Sequence, residues 1–175
     1  MASVWKVFLA EGIILVLLGV AAIVLPFAAG LAVTVFLGWL FLFAGIAGLI
    51  ATFSARATAG FFWSLLSAVV ALLAAGLLLW SPVQGLLTLT YLLIVYFVVD
   101  GVFTIAFSIE HRRELSARWH WLLLNGILDL VLAAIVVSGL PGTAAWALGL
   151  IVGIDLLMGG VALVAMALAA RPTSA

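Results

Sequence analysis

Residues 31–53 read LAVTVFLGWLFLFAGIAGLIATF, a run without a single Asp, Glu, Lys, Arg or His. The hydrocarbon core of a bilayer is about 30 Å thick, and a helix needs roughly 20 apolar residues to cross it. This stretch is long enough to do so. Five other stretches share the character: Val7–Leu25, Phe62–Trp80, Leu86–Ser108, Trp121–Ser138 and Ala144–Leu168. They are too long, and lack the alternation, to be strands of a membrane β-barrel. The expected fold is therefore an all-α integral membrane protein with six transmembrane helices.

The whole composition agrees. Of the 175 residues, 69% are hydrophobic and 7% are charged, against roughly 25% charged in a soluble domain. So few polar side chains cannot cover a globule of this length, which excludes a soluble monomer and a disordered chain. Net charge is zero, with six basic and six acidic residues, and no basic patch suits nucleic acid. Cysteine is absent, which removes disulfides, thiolate metal sites and a cysteine nucleophile.

The breaks between spans fall into two kinds. Residues 26–30 (PFAAG), 81–85 (SPVQG) and 139–143 (GLPGT) are short, uncharged and carry Pro and Gly. They read as helix stops and tight turns. The breaks at 54–61 and 109–120 are polar and carry arginine. The chain thus reads as one six-helix domain of three hairpins, with repeats at about 5–57, 58–113 and 117–170. The turn prolines Pro26, Pro82 and Pro141 are 56 and 59 residues apart. Glu11, Ser67 and Asn125 stand at matching places before them, each followed by a small residue, Gly12, Ala68 or Gly126. Asp100 and Asp155 match if the third hairpin has lost about one helical turn. Two spans per repeat give a parallel repeat about an axis along the membrane normal.

With these spans, Lys6, Arg56, Arg112, Arg113, Arg118 and Arg171 all lie on one side of the membrane, and the other side has no Lys or Arg. The positive-inside rule then places both termini and the two longer connections in the cytoplasm. Trp5, Trp63, Trp119 and Trp121 fall near the inner interface, Trp80 and Trp146 near the outer one. The first span is not read as a cleaved signal peptide, because Glu11 interrupts it and it matches the first helix of the other hairpins.

Four carboxylates, Glu11, Asp100, Asp129 and Asp155, lie inside spans that hold no Lys, Arg or His. An Asp at a helix centre costs about 2.5–3.5 kcal/mol on insertion scales, so the four are expected to face one another or a wet cavity, some of them sharing protons. Together with Asn125 they form the candidate proton-responsive or polar cluster, with Asp155 and Asp129 foremost. The alternative is plain hydrogen bonding between helices, with Asn125 or a threonine as partner. Ala145, Gly149 and Gly153 recur every fourth residue on the last span, Ala44 and Gly48 on the second, and Ser67, Ala71 and Ala75 on the third. Such faces admit close backbone approach. Ala145, Gly149, Gly153, Gly48 and Gly126 are the expected helix-packing residues, within one chain or at a homo-oligomer seam.

The polar stretch 110–120 (EHRRELSARWH) reads as a solvated loop touching anionic headgroups. His111 and His120 lack metal-site spacing, and HExxH, GxSxG, the P-loop and the dinucleotide glycine fingerprint are all absent. A non-enzymatic protein without metal or cofactor is expected, its partner the lipid bilayer.

Three short hairpins, a proline at each outer turn, and the segments 126–130 (GILDL) and 153–157 (GIDLL) resemble the HdeD-like family of bacterial membrane proteins. The resemblance runs from about Trp5 to Leu168. It implies a multi-pass inner-membrane protein linked to resistance to acid or other stress. It brings no catalytic or ligand-binding residues. Asp129 and Asp155 match the family pattern without acquiring a role from it, and the short stretch before the first span makes a tail-mediated activity doubtful. Two other functions remain open: a small-solute or ion transporter or channel, for which six short spans need an oligomer, and a membrane assembly protein.

Overall fold

The computed structural model describes residues 4–54, 60–112 and 119–170. They form α1 (Val4–Val24), α2 (Pro26–Ser54), α3 (Phe61–Trp80), α4 (Pro82–Glu110), α5 (Trp119–Ser138) and α6 (Ala147–Ala169). A single 3-10 turn, Gly142–Ala145, precedes α6. All six helices are long and apolar enough to cross a membrane. At about 1.5 Å per residue, α2 and α4, with 29 residues each, exceed the hydrocarbon thickness and extend past it or tilt. Arg56, Arg113, Arg118 and Arg171 lie outside the described residues. Lys6 and Arg112 stand at the same end of the bundle, at the start of α1 and just past the end of α4.

Two of the three expected outer turns are corrected. Residues 26–30 and 82–85 are helical, and only Leu25 and Ser81 separate the helices on either side. Pro26 and Pro82 open α2 and α4. The first helical position needs no amide donor, and the fixed proline φ suits it, so these prolines start helices. Hydrogen bonds run through the corners: Ala29 N–H donates to Leu25 O at 3.0 Å and Gly85 N–H to Ser81 O at 2.8 Å. The third outer connection is a genuine loop. There Thr143 donates its hydroxyl to Val136 O at 2.6 Å and its amide to Gly139 O at 3.0 Å. Helix α6 therefore starts later than Ala144, and Ala145 lies in the 3-10 turn.

Within each hairpin the helices diverge from the corner. The broadest contacts are α1 with α6, α2 with α3 and α4 with α5, while α2, α4 and α6 also touch one another. Each hairpin's first helix thus lies against the second helix of the hairpin before it, and α1 on α6 closes the ring. Such a parallel threefold arrangement is what a repeat about the membrane normal produces.

Each seam tightens at a repeat-equivalent pair: Gly12 with Gly160, Ala68 with Gly45, and Gly126 with Gly101. A β-carbon on Gly160 would stand 2.8 Å from Gly12 O, one on Gly45 3.2 Å from Ala68 O, and one on Gly101 2.8 Å from Gly126 O. Lipid tails are as apolar as leucine, so helices gain nothing from hiding aliphatic side chains from lipid. Close backbone approach and the dispersion it permits hold them instead. Large side chains accordingly face outward: Phe62, Trp63, Leu77 and Phe103 are each about 70% exposed and Trp80 is 94% exposed. The inner cluster is small, with Ile94, Phe97, Ala133, Val136 and Ala147 at its heart.

Of the expected packing residues, Gly149 lies against Pro26, Gly153 against Ile23 and Ala22, Gly126 against Gly101, and Gly48 against Ala68. Ala145 does not continue the α6 face, because it precedes that helix. On α2 and α3 the expected faces are met in part: Gly48 reaches Ala68 and Ala75 is fully buried. Gly45 and Ala68 are buried, whereas Ala44 and Ser67 are exposed.

Candidate functional site

The tight crossing of α4 on α5 brings two carboxyl groups together. Asp100 immediately precedes Gly101, and Asp129 lies three residues after Gly126, so the glycine contact sets both acids on the same seam. Their side chains come within hydrogen-bonding reach of each other. The Asn125 amide, one helical turn from Asp129, donates to Asp129 Oδ2 at 3.1 Å. Both aspartates are half-buried and Asn125 is exposed on the outer side of α5. At about 1.5 Å per residue, Asp100 lies roughly 15 Å from the Glu110 end of its helix, and Asp129 roughly 15 Å from Trp119. The three polar groups therefore sit within the hydrocarbon layer if the helices span it. A proton shared by the two carboxyls makes a hydrogen bond; without one they are two like charges in a low-dielectric seam.

The other expected members do not join this cluster. Glu11 and Asp155 are exposed, and neither makes a hydrogen bond or ion pair among the described residues. Register explains Asp155. Gly101 and Gly160 hold equivalent places, so Gly159 stands where Asp100 does, and Asp155 stands where Tyr96 does. Although α6 begins later than α2 and α4, Gly160 follows Pro141 at the interval at which Gly101 follows Pro82, and the expected match between Asp100 and Asp155 fails. In the same register the counterparts of the two acids are Ala44 and Ala71 on α2 and α3, and Gly159 and Leu15 on α6 and α1. The carboxyl pair is thus peculiar to one seam of three.

Buried hydroxyls form a second polar set that the sequence reading missed. At the inner end, Thr52 donates to Gly48 O at 2.7 Å, so its contact with Ser64 on α3 is a hydrogen bond donated by the Ser64 hydroxyl. Ser108, at the equivalent place on α4, donates to Trp119 O of α5 at 3.0 Å. The third equivalent is Ala167, which leaves the α1–α6 seam without this tie. Nearer the outer end, Thr34 and Thr90 are fully buried and bond back to Gly30 O and Leu86 O, each at 2.8 Å. Their hydroxyls are engaged by their own helices. The signal was present in the sequence, since Thr34 and Thr90, like Thr52 and Ser108, differ by the repeat length.

At the end where Lys6 stands, His111 stacks on Phe107 with centroids 4.3 Å apart, and the His120 and Trp119 rings lie tilted to each other with centroids 3.8 Å apart. Lys6 lies over the Trp5 ring at 5.9 Å. Among the described residues no group of three or more His, Asp or Glu is placed to hold a metal ion.

Comparison with known proteins adds the family. No solved structure matches the chain. Protein HdeD of Escherichia coli K12 is 29% identical over 160 residues, covering 89% of this chain and 82% of that protein. The HdeD proteins of Escherichia coli O157:H7 and Shigella flexneri match to the same extent. A family model described as a short repeat of unknown function (DUF308) matches twice, at residues 10–80 and 66–138. The two matches are offset by the distance that separates Pro26 from Pro82 and Gly45 from Gly101. Covering most of the chain between them, they show that it belongs to the DUF308 short-repeat family and is HdeD-like in sequence.

Proposed function

We propose that this is a non-enzymatic stress-protection protein of the bacterial inner membrane, with both termini in the cytoplasm, and that the Asp100–Asp129 pair is its proton-responsive element. One observation carries the reading: two carboxyls meet inside an apolar span, at a seam whose two repeat-equivalents are apolar. The fold does not require acids there, which argues for a use beyond helix packing. The likeness to HdeD proteins supports the link to acid stress. Protonation acts on the α4–α5 seam itself: a shared proton ties the helices, and its loss sets like charges against each other. Conduction through a single copy is disfavoured. The inner helices pack so closely that Gly149 touches the Pro26 carbonyl, and the hollow between the outer corners, about 170 Å³, is lined by apolar residues.

The test is survival of a deletion strain in acid, complemented with the wild-type chain, with Asp100→Asn, Asp129→Asn and the double variant. The wild type is expected to restore survival and the double variant to fail, at equal membrane abundance and helicity. Full protection by the double variant would remove the pair from the mechanism. No protection by the wild type would remove the stress reading.

A further inference from the structure

The outward face of α5 carries Trp121, Asn125, Leu128, Leu132 and Ile135, all exposed. Their spacing of four, three, four and three residues is that of a helix–helix seam. Within that face Asn125 is an anomaly. Its amide has two N–H donors and an oxygen acceptor, and one N–H is taken by Asp129. The other N–H and the oxygen have no partner among the described residues. About 9 Å along the helix from Trp119, they face the hydrocarbon layer if α5 spans it, where unmet amide groups are costly.

We infer that α5 is a self-association surface, on which Asn125 pairs with Asn125 of a second copy of this chain. The chemistry of the group selects that occupant. Two copies in one membrane share an orientation, so a twofold axis along the membrane normal brings identical residues together at identical depth. An amide is its own complement: each free N–H donates to the other copy's oxygen, and both unmet groups on each chain are satisfied at once. A single asparagine in an otherwise apolar seam is also a known way to fix helix register and number. The inference does not rest on the proton-responsive reading, although Asn125 also donates to Asp129.

Because the natural chain has no cysteine, single cysteines report the interface directly. Leu128→Cys lies on the proposed seam. Val70→Cys and Ile14→Cys occupy the equivalent places on α3 and α1, with similar exposure: 50%, 55% and 55% for the native residues. In lipid vesicles under mild oxidation, Leu128→Cys is expected to form covalent dimers and the other two are not. In the same vesicles, Asn125→Leu is expected to weaken dimerisation, read as energy transfer between labelled chains against protein-to-lipid ratio, by about three- to twentyfold. Cross-linking that is equal or stronger at position 70 or 14 would overturn the proposal. So would monomers at every ratio, an Asn125→Leu chain that dimerises as well as wild type, or a different protein found seated on α5. None of these readouts depends on acid survival, so this proposal and the functional one fail separately.

Discussion

Replacing Gly149 with alanine tests the packing of α6 most severely. A β-carbon there would lie 1.8 Å from Pro26 O and 2.6 Å from the carbonyl carbon. Ordinary contact begins at about 3.4 Å, so α6 must withdraw from the start of α2 by roughly an ångström and a half. No rotamer change helps, because the obstacle is backbone in the first turn of a helix. Overpacking a core costs about 1–3 kcal/mol, and a displacement this large belongs at or above the top of that range. Retreat also opens the seam, and a gap of 0.5–1 Å forfeits about a quarter to a half of the dispersion well for each facing atom pair. Gly159→Ala, ten residues away on the same helix, meets nothing within 4 Å. There the helix propensity of alanine over glycine, about 1 kcal/mol, acts unopposed. The two variants should therefore differ by about 3–4 kcal/mol, with Gly149→Ala the less stable. Reversible unfolding in mixed micelles, followed by helicity, measures the difference. Stabilities agreeing within about 0.5 kcal/mol, the usual scatter of a neutral surface change, would mean that α6 does not rest on Pro26.

Gly101→Ala and Gly126→Ala should each destabilise by about 1–3 kcal/mol in the same assay, since their β-carbons would meet backbone oxygens at 2.8 and 2.9 Å. Ser108→Ala should cost about 1 kcal/mol through the lost bond to Trp119 O, with hydrogen exchange at the α4–α5 inner end rising faster than at the α1–α6 end. Lys6→Cys and Arg112→Cys should react with an impermeant thiol reagent only in inverted vesicles, and Trp80→Cys only in intact cells; the opposite pattern would reverse the orientation.

The spans were legible because a membrane helix has to be apolar along its whole length, whatever it packs against. The corners were not, because proline has two roles. It ends a helix that reaches it and starts one that leaves it, and one residue, Leu25 or Ser81, suffices between the two. The acids were legible one at a time, but their partners were not. Spacing in a single chain shows that Asp100 and Asp129 share a depth range, yet the meeting depends on which helix α4 lies against. That choice was written in Gly12, Ala68 and Gly126, each noticed as a small residue after Glu11, Ser67 or Asn125. What was missing was the matching series Gly45, Gly101 and Gly160, which turns small residues into contacts. It would also have kept Asp155 in its proper register, one turn away from the place of Asp100.

The glycine crossings also bear on why one seam can carry acids at all. At α2–α3 and α1–α6, the positions equivalent to Asp100 and Asp129 hold Ala44 with Ala71 and Gly159 with Leu15, none of which can be charged, and Ala44 and Gly159 are exposed. At α4–α5, as at α1–α6, glycine meets glycine at the closest point, and here the aspartates stand beside that point. Such a seam is held at the crossing by contacts that do not depend on protonation, and next to it by a pair that does. On the proposed reading, a change of protonation would adjust the α4–α5 contact without dissolving it, whereas the same pair in place of the glycine crossing would make the seam's existence depend on pH. Ser108 adds a second fixed tie nearer the end of the bundle where Lys6 and Arg112 stand. On the other side of the pair the buried cluster of Ile94, Phe97, Ala133 and Val136 joins the same two helices.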